Sequence, residues 1–326
     1  MIRECVEQMI AEPEQAIMTP LTPTEKAIIA EQLTCSASEI TDIEVIKKGM
    51  TNRSVLFAVH GVRYIMRIPG IGTERLINRN EEALVYQVIS GLKLCDDPVY
   101  IDAQKGYKIT KYIEGARSCD PNNLDDLRRC MRKLRRFHEM KLIVPHQFDI
   151  FDKIRFYEEL WNGQPSMYPD YKQTKANAFE LRSYVEQQRC EYQLTHIDAV
   201  PDNFLFDPGT EGELSLQLMD REYAGMQDKH VDIAMFAIYS QYDKPAVDRL
   251  IDLYFENDGG CEQMTRIKIY CYIAICGLLW SNWCEYKRNC GVEFGEYSAR
   301  QYRYAKEYYQ YASEQIKLLC SDILAT

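Results

Sequence analysis

The residue types able to do chemistry concentrate in residues 194–234, where two acidic clusters are separated by a hairpin pattern. The first cluster is His196-x-Asp198-x-x-x-x-Asn203, and it runs into the apolar triplet Phe204-Leu205-Phe206. The turn sequence Asp207-Pro208-Gly209 follows. The alternation Leu214-Ser215-Leu216-Gln217-Leu218 then predicts a strand that delivers Asp220 at its end. Phosphoryl transfer requires such a layout: one carboxylate meets the attacking hydroxyl, a nearby amide oxygen binds a metal, and a second carboxylate holds the metal bridging the nucleotide phosphates. The five-residue step from Asp198 to Asn203 suits a loop, and the hairpin is expected to return Asp220 beside both. Either cluster alone reads equally well as an acidic turn on a solvated face. The two together, in this order and joined by a hairpin, favour a site.

The segment HIDAVPDNFLF resembles the catalytic loop of the aminoglycoside phosphotransferase and choline kinase branch of the protein-kinase-like fold, and MDREYAG is similar to that branch's metal-binding segment. The resemblance implies that Asp198 orients or deprotonates an acceptor hydroxyl and that Asn203 and Asp220 hold Mg²⁺. His196 is assigned to the loop's hydrogen bonding rather than to proton transfer. Two positions depart from the family pattern. Ile197 stands where the family most often has asparagine, which bears on local loop hydrogen bonding. Asp202 stands where a small residue is common, which bears on metal affinity.

Other elements must position these residues. Residues 43–46, 54–59 and 62–68 read as three strands, broken by the turn Lys48-Gly49-Met50-Thr51-Asn52-Arg53 and by His60-Gly61. The first turn resembles the nucleotide loop of choline kinases, which implies that Thr51 and Asn52 lie at the nucleotide; glycine and small polar residues let backbone N–H groups approach phosphate. Arg67 stands where protein kinases carry their phosphate-binding lysine, and the resemblance implies that an arginine is normal there. A helix is predicted over 75–89, with Leu84, Val85, Val88 and Ile89 at core spacing. It carries Glu81 and Glu82, one of which should pair with Arg67. Glu82 is preferred because EALVYQVI resembles the family's helix starting at its glutamate; Glu81 stays open. Residues 107–115 read as a strand and hinge, and by resemblance the backbone near Tyr112 and Ile113 meets adenine. The helix from Leu124 to about Met140 has an apolar stripe of Leu124, Leu127, Met131 and Leu134, so Arg128, Arg129, Arg132, Lys133, Arg135 and Arg136 are its solvated face. Two amphipathic segments, 149–161 and 177–188, flank a Gly/Pro-containing loop at 162–169 whose role is not legible.

The last third is helical and aromatic. Residues 269–287 form one helix pattern with Trp280 and Trp283 three apart on one face, and two of the chain's 3 tryptophans are thereby placed together. Aromatic stripes on helices usually serve the core. However, LLWSNW followed by VEFGEYSARQYRYA resembles the C-terminal segment of choline kinases, where such aromatics surround a quaternary ammonium group. A permanent cation offers no hydrogen to donate, so aromatic faces with a nearby carboxylate are the physical means of holding it. Trp280, Trp283, Tyr223 and Tyr297 are the expected box.

The net charge of −10 argues against nucleic acid as partner and suits a cationic substrate. The 12 cysteines are scattered, without Cys-x-x-Cys or Cys/His metal spacing, as reduced core thiols are. No signal core is recognised at the start, and the apolar stretch 269–280 is short for a membrane span. A cytoplasmic enzyme is expected. The resemblance spans nearly all of residues 48–308 and implies an α+β, two-lobed protein-kinase-like fold. Its parts are an N-terminal helical extension (1–40), a small antiparallel-sheet N-lobe (41–114) and a larger, mostly helical C-lobe (115–326). The implied activity is ATP- and Mg²⁺-dependent phosphorylation of a small amino alcohol, choline first, with ethanolamine, thiamine or an aminoglycoside as other acceptors. From other classes, a catalytically inactive binding module using the same cleft and a helical interaction protein remain. Asp198, Asn203 and Asp220 standing together argue against the inactive module.

Overall fold

The computed structural model describes residues 20–46, 52–70, 72–95, 97–188 and 191–325. Residues 1–19 of the expected extension, and Thr51 with most of the expected nucleotide loop, lie outside the described residues. Helix α1 (Pro23–Gln32) opens with a capping box: the Thr22 side chain accepts from the Glu25 N–H, and Glu25 reaches back to the Thr22 N–H. Strands β1 (Thr41–Ile46), β2 (Asn52–Val59) and β3 (Val62–Pro69) follow. The β2–β3 turn places His60 at φ 51° and Gly61 at φ 76°, the two left-handed residues that a tight, right-twisting hairpin needs.

The helix expected over 75–89 is in fact two, α2 (Thr73–Leu76) and α3 (Arg79–Ile89). Ile77 is extended, and the Asn78 side chain accepts from the Asn80 and Glu81 N–H groups, so a fresh helix starts there. Strands β4 (Tyr100–Ile101) and β5 (Lys108–Lys111) complete an antiparallel sheet of order β1-β2-β3-β5-β4. One sheet face is apolar: Val55, Phe57, Val59, Met66, Ile68 and Ile109 pack with Leu21, Ile29 and Ile40. Side chains alternate along a strand, so Arg67 and Lys108, directly opposite each other across β3 and β5, share the other face.

Beyond strand β6 (Arg117–Ser118), helix α4 (Leu124–Glu139) buries Leu127, Met131 and Leu134 as expected, whereas Leu124 is exposed and Lys133 is buried. Arg128 and Arg132 pair with Glu256, and Arg135 pairs with Asp258, so this part of the basic face is a solvated, ion-paired surface. Helix α5 (Ile150–Glu159) matches the first expected amphipathic segment. The second begins earlier than expected and is divided, as α6 (Tyr171–Glu180) and α7 (Arg182–Gln187). Strand β7 (Gln193–Thr195) leads into the acidic stretch, followed by β8 (Phe204–Phe206) and β9 (Leu216–Leu218). The strand expected from 214 is shorter because Gly212–Ser215 takes a 3₁₀ turn. Strand β10 (Gly225–Gln227) pairs antiparallel with β7, and four helices close the chain: α8 (His230–Tyr239), α9 (Lys244–Tyr254), α10 (Gln263–Asn289) and α11 (Gly295–Ala325).

The chain forms two compact units. One joins the described residues up to Arg117 to the returning segment Leu205–Tyr223; the other holds Ser118–Phe204 and the residues from Ala224 onward. Helix α10 is long and apolar enough to cross a membrane by length and composition, which the expected stretch 269–280 was not. Its apolar window is wholly buried, and it packs chiefly on α11, α8 and α5 as a core helix. Gly277 permits the contact with α11: a Cβ there would lie 2.8 Å from both the Gln301 carbonyl oxygen and Tyr304 Cβ.

Candidate active site

In the sheet-bearing unit, the polar face of β3 and β5 meets one face of α3, where Arg79, Glu82 and Tyr86 recur at helical spacing and are buried. Arg67 forms a two-pronged pair with Glu82, Nη1 to Oε1 and Nη2 to Oε2 at 2.8 Å; Nη2 also donates to the Gly106 carbonyl at 3.0 Å. Glu82, not Glu81, is therefore the partner of Arg67. The returning hairpin adds Asp220, whose Oδ1 lies 3.4 Å from both Arg67 Nη1 and Lys108 Nζ. It also adds Glu222, which accepts from Arg79 at 3.0 Å and from Asn52 Nδ2 at 2.8 Å. Lys108 donates to the Tyr86 hydroxyl at 2.8 Å and lies 4.8 Å from the centre of its ring.

Three cations, Arg67, Arg79 and Lys108, thus face three carboxylates, Glu82, Asp220 and Glu222. Burial opposes ionisation of Glu82, but Lys108, Arg67 and Arg79 hold its carboxyl down at about 2. Burial and the adjacent Asp220 charge push Glu222 up to about 7, against the pull of Arg67 and Arg79. Asp220 itself has φ 56°, a left-handed conformation uncommon outside glycine, and its side chain is about a third exposed (32%).

In the helical unit, the loop expected to carry the catalytic acid hangs on Asp232 of α8. Its Oδ1 accepts from the Ile197 N–H at 2.7 Å and its Oδ2 from the His196 N–H at 2.9 Å. His138 Nε2 meets the same Oδ2 at 2.9 Å, and His138 Nδ1 meets the Tyr254 hydroxyl at 2.7 Å. Ile197 sits at φ 67°, where a β-branched residue is strained. The two Asp232 bonds and complete burial of the isoleucine offset that strain. Asp198 follows immediately. Asn203 Nδ2 donates to the Asp198 backbone oxygen at 2.8 Å and to its Oδ2 at 3.1 Å, so the loop's acid and amide are locked together.

Also in this unit is an aromatic chain. Trp280 and Trp283 meet edge to face with ring centres 5.6 Å apart. Trp283 lies 5.1 Å from Phe294, Phe294 lies 6.4 Å from Tyr297, and Tyr297 lies 6.0 Å from Tyr239 of α8. Burial, then Cys284, Tyr239 and Asp198, push the Tyr297 hydroxyl up; burial, Asp202 and Asp198 do the same to Tyr239. Both tyrosines therefore lie within electrostatic reach of Asp198. Trp280 donates its N–H to the Met235 sulfur at 2.9 Å, and both tryptophans are buried, so they pack in the core as well.

The remaining expected residues divide. Tyr223 is buried and belongs with the sheet-bearing unit. Asn52 is engaged by Arg79 and Glu222. The Tyr112 N–H donates to the Arg63 carbonyl at 3.0 Å, and the Ile113 carbonyl accepts from the Ala116 N–H at 3.2 Å. Sequence reasoning missed Arg79, Lys108, Glu222, Asp232 and Tyr239. One of these carried a usable signal: Arg79 is one helical turn from Glu82 on the same helix face. Lys108 and Glu222 become visible only through strand register and burial.

This is a protein-kinase-like phosphotransferase fold, with a small antiparallel-sheet part and a larger helical part. The chain belongs to the choline/ethanolamine kinase family, whose sequence profile matches residues 43–256. It is 28% identical over 270 residues to the protein LicA of Haemophilus influenzae, covering 78% of this chain and 76% of that protein. Among solved structures it resembles choline kinase LicA from Streptococcus pneumoniae, with a TM-score of 0.75, 27% identity, and coverage of 87% of this chain and 98% of that one. A choline/ethanolamine kinase family protein from Mesorhizobium loti, at 21% identity, shares the fold with a TM-score of 0.68 over 97% of this chain and 99% of that one. The protein is accordingly a kinase-type phosphotransferase acting on an alcohol group of a small molecule.

Proposed function

We propose that the protein is an ATP- and Mg²⁺-dependent kinase that phosphorylates the hydroxyl of choline. The observation that carries the acceptor is the aromatic chain from Trp280 to Tyr239, whose two tyrosines lie within reach of the Asp198 charge. A quaternary ammonium has no N–H to donate, and aromatic ring faces beside a carboxylate satisfy it. Asp198, fixed by Asn203 and by the Asp232-held backbone, accepts the proton of the acceptor hydroxyl or orients it.

Asn203 and Asp220, each within its own unit, keep an oxygen of the hard type that suits Mg²⁺. The Asn203 amide spends its N–H₂ group on Asp198 and so keeps its oxygen as a ligand. On Asp220, Oδ1 is approached by two cations while Oδ2 remains. When bound, Mg²⁺ would neutralise developing phosphate charge. Arg67 keeps Nε without a hydrogen-bond partner among the described residues, one donor for a phosphate oxygen, with Glu82 behind it. Backbone groups at Tyr112 and Ile113 would meet adenine. The free, largely buried cysteines suit a reducing, cytoplasmic setting.

An ADP-release assay with choline, ethanolamine, thiamine and an aminoglycoside tests the acceptor. Choline should give the highest kcat/KM. A clear preference for any of the other three would overturn choline as the substrate, and no ADP release with any of them would overturn the activity.

A further inference from the structure

Asp202 is not idle in the loop. The Tyr239 hydroxyl donates to its Oδ2 at 2.6 Å. Asp202 lies in the short turn Pro201–Asn203, next to the amide that locks Asp198. Tyr239 in turn makes an edge-to-face contact with Tyr297, at 6.0 Å and 69°. The bond therefore ties the loop bearing Asp198 to the aromatic chain.

We propose that Asp202, oriented by Tyr239, is a specificity-determining residue of the acceptor site: its carboxylate accepts hydrogen bonds from acceptors whose ammonium carries N–H groups. The inference rests on the amino-alcohol kinase function proposed above and refines it. Ring faces attract any ammonium by charge, whereas a carboxylate oxygen distinguishes a primary ammonium from a quaternary one, because only the former can donate. Oδ2 is taken by Tyr239, and Oδ1 accepts no hydrogen bond among the described residues. The site then serves two headgroups with two devices: rings for the methylated ammonium, and Asp202 for the unmethylated one. A polar residue here makes ethanolamine a competent second acceptor of an enzyme that prefers choline.

The test is kinetic, on the full-length protein. Asp202→Asn keeps size and removes the charge; Tyr239→Phe keeps the ring and removes the bond that orients the carboxylate. The measurements are kcat and KM for choline, for ethanolamine and for Mg-ATP. In Asp202→Asn, KM for ethanolamine should rise about tenfold, against no more than about threefold for choline, with KM for Mg-ATP unchanged. Tyr239→Phe should shift the ratio in the same direction by a smaller factor. A purely structural role would lower kcat for both amines together, and that result overturns the proposal. So does a choline-to-ethanolamine ratio within twofold of wild type. If the wild-type protein phosphorylates neither amine, the underlying function fails instead and the inference falls with it, so the two failures are told apart by the wild-type control.

Discussion

At the residue scale, the loop presents one acid in one geometry. Asp198 is held by Asn203 through side chain and backbone, and the backbone ahead of it is held by Asp232. Asp198→Asn is nearly isosteric and removes only the charge. Its kcat should fall by about 10²–10⁴-fold, the range for loss of a positioned base, with KM for ATP little changed. A variant keeping more than about a third of the wild-type kcat would remove Asp198 from the mechanism. The tryptophans answer a different question. Trp280 and Trp283 are both buried and both in the aromatic chain, so each substitution reads packing and ligand binding at once. Trp280→Phe retains a ring, and Trp280→Ala retains none. If the rings hold an ammonium, KM for choline should rise by about three- to thirty-fold in the alanine variant and by less in the phenylalanine variant, while KM for ATP stays put. Loss of melting temperature with normal choline binding in the folded fraction would assign the pair to packing alone.

At the element scale, the helices of the larger unit are joined by buried charge and by close backbone contact. Asp228, just ahead of α8, accepts from Lys268 of α10 at 2.9 Å, from the Tyr272 hydroxyl at 3.2 Å and from the His230 N–H at 3.0 Å. Burial opposes its charge, yet His230 and Lys268 hold the carboxyl far below the usual carboxylate range. A depressed pKa contributes stability that is present above the unfolded value, about 4, and is lost as pH falls below it. Asp228→Asn leaves Lys268 buried without its counter-charge and should lower stability by about 3–5 kcal/mol at pH 7. The melting-temperature gap to wild type should narrow below about pH 4; a gap independent of pH would mean that the charge is not what matters. Gly277 gives the second element-scale test. Glycine to alanine within a helix ordinarily stabilises by about 1 kcal/mol, but here the new Cβ meets the α11 backbone. Gly277→Ala should lower the melting temperature, by about 1–3 kcal/mol of overpacking, and an increase would show that α11 yields freely.

At the scale of the whole molecule, the sheet-bearing unit is not a contiguous stretch of chain. Its polar face is neutral only because Leu205–Tyr223 brings Asp220 and Glu222 to Arg67, Arg79 and Lys108. A fragment ending at Arg117 would keep the three buried cations and, of the carboxylates, Glu82 alone. Desolvated charge without a partner is strongly destabilising. Residues 1–117 expressed alone should therefore lack a cooperative thermal transition by circular dichroism, despite the complete apolar face beneath the sheet. A cooperative melt like that of a folded domain would show that the sheet does not need the hairpin.

Much of this was legible along the chain. The order of strands and helices follows from local signals of alternation, helical spacing and turn residues, and the acid–amide–acid series of Asp198, Asn203 and Asp220 stands in the motif, whereas the preference for Glu82 over Glu81 came from the family resemblance. Those signals act over a few residues, which is the range over which backbone sterics and side-chain period operate. The helix break at Asn78 was a capping signal left unread, and Arg79 lay at helical spacing from Glu82, already singled out. Lys108 and Glu222 had no such mark, because a lysine on a short strand and a glutamate after a turn look like surface residues until register and burial place them against opposite charge. Strand partners and the hairpin's membership in the sheet-bearing unit depend on contacts between residues far apart along the chain, such as Arg67 with Glu222, 155 positions away. Only the tertiary structure decided those, since pairing at such separation is set by which buried charges find a counter-charge.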